Sequence, residues 1–507
     1  MRKSIYLAYL CSAIALFATC KTVEKGEPEL PGVALSEEGM LADYRLFRDL
    51  YEKANPGLYD FHPKETIDSL FLANEKKINE RTTYQEFYNI IWGVVDFTGS
   101  IHNNLFYPDT LKKQLEAQPI FFPLPVLCLN NELHSASSLG GIPVASKIVS
   151  VNGMKAEELL EKASFYRSTD GYNKTEKYAS MAGVISSWYM YLALGPQEEF
   201  VVAYEDDQQQ VKQVTLPAVS YETFKETHAA RHAKHLQEFE EQYTFQQVDS
   251  LNTGILTVNT FALGGPGEAS HVQYAAFLDS VFTFLNQRGV QYLVVDVRKN
   301  GGGNNPNQTL LFSYLTDRQF RMTTTGYTIF NQVHHKPHYV ATMPDEIKLG
   351  EAMLQEQYSV QRDGKFYLAD KYNPVFSPQQ NRFRDNQYLL VSPDVASAGS
   401  LFASMVKSDQ KAQVIGEETG GGYLWHTGNF GMVYRLPHSG LLLKFSIVSL
   451  AQDVKPLNHQ RIGQGIMPHV EVKLTREDYL QGRDTQLEWV LNTIYQQVTG
   501  ALSPVGE

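Results

Sequence analysis

An α/β fold follows from three features of the chain. Strand-like and helix-like patterns alternate from Ser250 onward. Two of the strands end in loops of small residues, and each loop leads into a helical segment. Ahead of this region lie a helical N-terminal stretch and then a run of short strands and turns. With 507 residues, two or three domains are expected.

The elements follow in order. Arg2 and Lys3 precede a short, mostly apolar stretch from Ile5 to Ala18. It falls short of the ~18 residues of a spanning helix and reads as a cleaved export signal. It ends in Leu16-Phe17-Ala18-Thr19-Cys20, which resembles a bacterial lipoprotein box; Thr19 departs from the usual small residue. The resemblance implies lipidation of Cys20 and a membrane-anchored protein of the bacterial cell envelope, in periplasm or outer membrane. Residues 21–34 are charged, carry Pro28 and Pro31, and read as a tether.

A helical domain is expected over 35–117. Leu41, Tyr44, Phe47 and Tyr51 recur at helical steps, as do Phe87, Ile90, Ile91, Val94 and Val95. Asn55-Pro56-Gly57 breaks the pattern between them. A second domain is expected over 118–220. There Ile148-Val149-Ser150-Val151 runs into an Asn152-Gly153 turn before a helix from Ala156 to Ala163, which looks like a PDZ core. Such domains take peptide C-termini by adding a strand to a sheet edge, although no Gly-Leu-Gly-Phe type loop is evident. The third domain, 221–507, opens with a polar connector, Tyr221 to Gln246, expected to be helical. Ile255 to Val258, a helix from Val272 to Leu285, and Tyr292 to Val297 then begin the α/β core. Leu389 to Val391, Val414-Ile415 and Leu441 to Val448 continue it.

Composition narrows the partners. Apolar residues make up 43% and charged residues 20%, the balance of a globular protein with a large core. A net charge of −12 argues against nucleic acid, whose binders concentrate Lys and Arg. Beyond Cys11 and Cys20 the only cysteine is Cys128, in an apolar strand, where it reads as a small buried hydrophobe. No metal or cofactor pattern is present: His334-His335 and His438 lack ligand spacing, and no Gly-Lys-Ser/Thr follows the glycine-rich turns.

The chemistry concentrates in two segments. Tyr292-Leu293-Val294-Val295-Asp296 runs into Val297-Arg298-Lys299-Asn300-Gly301-Gly302-Gly303. Tyr388-Leu389-Leu390-Val391 runs through Ser392-Pro393-Asp394 to Ser397-Ala398-Gly399. A serine hydrolase needs two such turns. One exposes a nucleophile, and the other aims bare backbone N–H groups at a developing oxyanion. Alone, Ser397 reads equally as a helix N-cap. Asp296 and Arg298 read as structural, fixing the glycine turn.

Together the segments resemble the tail-specific, or C-terminal processing, serine peptidases, which carry Asp-x-Arg-x-Asn-x-Gly-Gly and then a Ser-Ala turn. The resemblance implies a crotonase-like (ClpP-like) spiral core, an acyl-enzyme on Ser397, and an oxyanion hole from Ala398 with Gly302 or Gly303. It also implies peptide or protein substrates bound near a C-terminus. A His-Pro-x-Leu-Tyr turn is common in the family; Asn55 stands in place of that histidine.

One branch of the family uses a lysine as base, but its position falls on Gly422. Lys407 and Lys411 read as solvated. The other branch, resembling the tricorn core and the interphotoreceptor retinoid-binding repeats, uses a histidine after the N-terminal helices. His102, in Asp96-Phe97-Thr98-Gly99-Ser100-Ile101-His102, falls in that place, and imidazole titrates near neutrality. The acid that would orient it has no counterpart before Gly465-Ile466-Met467-Pro468. Gln464 is there instead, and Glu417 is the first acidic candidate. The missing acid keeps open a pseudo-peptidase that only binds peptides or an apolar ligand. Acyl-CoA chemistry on the same core is a third alternative, which has no use for the nucleophile turn.

Overall fold

The computed structural model describes residues 35–232, 241–303, 306–343 and 345–500. The expected export signal, Cys20 and the tether lie outside them. Helices α1 (Glu37–Ala54), α2 (Lys64–Glu75) and α3 (Tyr84–Phe97) form the N-terminal region. Ser36 caps α1 by accepting the Gly39 N–H, and Thr83 with Glu86 forms a capping box on α3. Tyr44, Phe47, Tyr51, Phe87, Ile91 and Val95 are buried, as the helical period requires. Asn55 ends α1 and its Oδ1 accepts the Gly57 N–H at 3.0 Å, a side-chain turn that explains the break.

After β1 (Asn104–Phe106) and α4 (Asp109–Glu116) comes a separate group of strands. The hairpin β2 (Val126–Leu129) with β3 (Glu132–Ser135) packs beside a sheet of β4 (Ile148–Val151), β5 (Met154–Lys155), β6 (Glu199–Glu205) and β7 (Val211–Pro217), in the order β5-β4-β6-β7. Between β5 and β6 lie α5 (Ala156–Ser164), α6 (Thr175–Ala179) and α7 (Ser186–Leu194). Asn152 takes the left-handed conformation at the turn, with φ +49°. Phe121 and Val219 exchange backbone hydrogen bonds and close this group at its two ends.

Among the described residues the connector is helical over α8 (Tyr221–Ala229), and Tyr243–Val248 is instead strand β8. Alternating Tyr243 and Phe245 pack on the core there while their neighbours face outward, the period of a strand.

Strands β9 (Thr253–Val258), β10 (Tyr292–Asp296), β14 (Asn386–Val391), β15 (Ala412–Gly416) and β18 (Val470–Glu471) pair in parallel, with β8 antiparallel at one edge. Both faces are buried, as expected of a parallel sheet. Leu293 and Val295 face a core shared with α9 (Ala269–Arg288), α10 (Asn307–Ser313) and α12 (Ala398–Asp409). Val294 faces the opposite side, against α14 (Thr485–Thr499).

A second, antiparallel sheet is built on β11 (Thr323–Thr328), β12 (Val360–Arg362), β13 (Lys365–Tyr367), β16 (Trp425–Arg435) and β17 (Leu442–Gln452), with β1 added. The expectation that Leu441 to Val448 continues the α/β set is therefore corrected. That segment is half of a long hairpin with β16, which pairs along its length and leaves β17 no place in the parallel sheet. Helix α11 (Glu346–Gln357) lies between β11 and β12 in the chain, and α13 (Arg476–Gln481) between β18 and α14.

Candidate active site

The glycine turn and the Ser397 turn leave the carboxyl ends of β10 and β14, which are neighbours in register, Asp296 beside Leu390. Ligands bind at this end of open α/β sheets. The two turns are in contact. Asn300 holds the first: its Oδ1 accepts the Gly302 N–H at 3.0 Å and its Nδ2 donates to the Val258 carbonyl at 3.1 Å. A Cβ placed on Gly302, at φ +110°, would lie 2.8 Å from Ser397 Cβ and 3.0 Å from Ala398 N. One placed on Gly399 would lie 2.2 Å from the Asn300 carbonyl oxygen. Only glycine permits this approach.

Ser397 sits at φ +53°, ψ −123°, a conformation strained for a side-chain-bearing residue, and makes no capping hydrogen bond. It holds the N-cap position of α12, but its side chain does not serve as the cap. The residue is half-buried, and its hydroxyl stands at the N-terminus of α12, where backbone N–H groups favour negative charge. The Gly302 N–H, expected as an oxyanion donor, is bonded to Asn300 Oδ1 in this structure. The contribution of Gly302 is the empty space in front of Ala398 N.

Asp296 and Arg298 do not reach the glycines. The Arg298 guanidinium forks onto Asp296 and Asp484, tying the end of β10 to the start of α14. Asn300, within the motif, is what fixes the turn.

His102 lies in the turn between α3 and β1. Its backbone N–H reaches Ser100 Oγ at 3.3 Å, and Ser100 Oγ meets Thr427 Oγ on β16 at 2.6 Å. His102 Nε2 is buried and has no hydrogen-bond partner among the described residues. Burial, with Lys444 nearby, pushes its pKa down to about 4. No hydrogen bond joins Ser397 to His102 in this structure. A second histidine lies nearby: burial, and then His102, push the His426 pKa down to about 3. Gln452 Nε2 donates to the Gly422 carbonyl at 3.0 Å and lies 3.2 Å from His426 Nδ1. His426 had no sequence signal, because neither its spacing nor any motif marks it among fourteen histidines.

Glu417 is not brought to His102. It follows β15 and lines a groove of about 570 Å³ with Cys128, Lys299 and Asp394. Burial pushes it up to about 7, opposed by Lys473. Gln464 is used within its own loop, accepting the Arg461 N–H at 3.1 Å. Lys407, expected to be solvated, is fully buried on α12 and donates to the Met467 carbonyl. Burial lowers its pKa to about 8. Ten residues of helix separate it from Ser397, about 15 Å at 1.5 Å per residue, so it cannot take the serine proton. Among the described residues no cluster of three or more His, Cys, Asp or Glu is arranged to hold a metal ion.

A strained serine beside a side-chain-free glycine, at the helix end of a parallel sheet, defines a serine-hydrolase type of site. Residues 252–472, the stretch that carries both turns, match the model of peptidase family S41. No curated protein matches the chain in sequence. Among solved structures, mature CPAF aligns with a TM-score of 0.59 at 13% identity, over 92% of this chain and 99% of that one. Mature CPAF complexed with lactacystin aligns equally well, at 0.59 and 12%, with the same coverage. At such identities the likeness is one of fold. The tricorn protease covers 91% of this chain with 37% of its own length, at a TM-score of 0.34 and 14% identity.

Two outcomes follow. Gly302→Ala places a methyl group in front of Ala398 N, and peptide hydrolysis should fall by about 10²–10³, the cost of losing an oxyanion contact. Activity within a few-fold of the parent would show that no oxyanion forms there. Lys407→Met should leave hydrolysis unchanged. Between pH 8 and 10.5 the unfolded lysine binds a proton that the folded one has released, so stability of the parent rises with pH there. Chemical denaturation across that window should show the rise in the parent and its loss in Lys407→Met.

Proposed function

We propose that this chain hydrolyses peptide bonds through an acyl-enzyme on Ser397, with His102 as general base. The single observation that carries the reading is Ser397 itself, uncapped, strained in its backbone and packed against Gly302. His102 removes the hydroxyl proton, and Ser397 attacks the carbonyl. The Ala398 N–H, with Gly303 from the facing turn, holds the oxyanion, and His102 then protonates the leaving amine. An unpartnered, uncharged imidazole nitrogen suits a base awaiting its proton. The missing Ser397–His102 bond is consistent with a site completed on substrate binding.

The substrates are polypeptides or oligopeptides engaged near a C-terminus. We read residues 118–220 as a PDZ-like domain between a helical domain, 35–117, and a crotonase-like core, 221–507. The strand, Asn152-Gly153 turn and helix of β4 to α5, and the Phe121–Val219 closure, support that division. The Cys20 motif supports a lipid-anchored envelope protein. The absence of an acid on His102 favours one other reading, a pseudo-peptidase that binds a peptide or apolar ligand without cleaving it.

Hydrolysis of a peptide library decides between them. Ser397→Ala and His102→Ala should each lower the rate by about 10²–10⁴, and the double variant should cost little more because the pair acts as a unit. A parent that cleaves nothing would favour the binding protein. Full activity in His102→Ala with a dead Ser397→Ala would assign the base elsewhere.

The pH profile is a separate test. A base held at about 4 stays uncharged through mildly acidic pH. The acid limb of kcat/KM should therefore lie well below the 6.5 of an ordinary imidazole. A limb at 6.5 or above would contradict a buried base.

A further inference from the structure

We propose that Asp170 is the positioning residue that holds the His102 loop against the nucleophile turn, an inference that rests on the peptidase reading above. Asp170 is buried, on the segment between α5 and α6. Its carboxylate serves two loops far apart in sequence. Oδ1 accepts the N–H of Ile101, the neighbour of His102, at 2.9 Å. Oδ2 accepts the N–H of Gly422 at 3.0 Å.

The Gly422 end of this bridge is fastened to the turn that carries Ser397. The Gly421 N–H donates to the Val395 carbonyl at 3.1 Å. A Cβ on Gly421 would lie 2.1 Å from Ser400 Oγ, so nothing separates this turn from the first turn of α12. Residues after Asp170 repeat the lacing: Gly171 N–H to the Gly99 carbonyl at 2.9 Å, Tyr172 N–H to the Gly463 carbonyl at 2.7 Å, and Asn173 Nδ2 to the Thr419 carbonyl at 2.6 Å.

The residue type is informative. No salt bridge joins Asp170 to a cation among the described residues, and burial pushes its pKa up to about 6 against the two N–H bonds that lower it, with Asp60 adding to the rise. A buried carboxylate without a cation is costly, and packing alone does not call for one. Two divergent backbone N–H groups do, because each needs its own acceptor oxygen. Asparagine keeps the shape but turns an NH₂ toward one of them.

Asp170→Asn is therefore the test, on the full chain. Hydrolysis should lose about 10²-fold in kcat, the scale for a 1 Å misplacement, with KM nearly unchanged. In a His102→Ala background it should cost almost nothing further, since both changes act on one base. Amide hydrogen exchange should show Ile101 and Gly422 losing protection together. Parental kcat, or a loss that multiplies with His102→Ala, would overturn the proposal. If the parent cleaves no peptide, the peptidase reading fails by itself, and exchange still judges the bridge: unchanged protection of both amides in Asp170→Asn would overturn it. Should that variant not fold, the unaltered protein decides. One bridge predicts a common opening and matched protection at Ile101 and Gly422, and protection differing by more than about tenfold, or 1.4 kcal/mol, overturns it.

Discussion

The backbone of Asn300 to Gly302 touches the backbone of Ala396 to Gly399, and the site depends on that contact. Parallel pairing of β10 with β14 brings the two turns together. Asn300 fixes the height of the first turn, and Gly302 and Gly399 remove the side chains that would hold them apart. With the turns pressed together, Ser397 is forced to positive φ and its hydroxyl is kept out of the helix cap. Strain of about 1–3 kcal/mol at one residue is held by a large core on both faces of the sheet.

The second half of the site is assembled differently. His102 comes from a loop that no strand of the parallel sheet positions. Its placement rests on polar ties, Ser100 to Thr427 and Ile101 to Asp170, rather than on apolar packing. Such ties are directional and leave the buried His102 Nε2 without a hydrogen-bond partner among the described residues. A rigid nucleophile turn facing a tethered base fits a mechanism in which substrate completes the geometry.

Legibility in the sequence followed the same division. The glycine turn and Ser397 were readable because their chemistry is local: apolar strand, small residues, helix. Segments whose partners are remote were not. Leu441 to Val448 is apolar enough for either sheet, and its hairpin with β16 decided the matter. Tyr243 to Val248 is too polar on one face to announce a strand, and it lies at a sheet edge. Lys407 reads as a surface lysine because nothing local shows that α12 is buried on every side. Glu417 is an acid close in sequence to the right turn, but its side chain faces the Cys128 groove. Asp170, His426 and Gln452 carry no motif; only the folded chain brings them to the site. Where the sequence was informative beyond locality, as for His102 and Gly422, the signal came from family resemblance.

The central claim is that Ser397 is a nucleophile poised by its turn. A fluorophosphonate reacts covalently with such a serine, and peptide mapping by mass spectrometry locates the adduct. The account predicts one adduct, on Ser397, formed by the folded parent and absent from Ser397→Ala. No adduct on the folded parent, or an adduct that persists in Ser397→Ala, would contradict it.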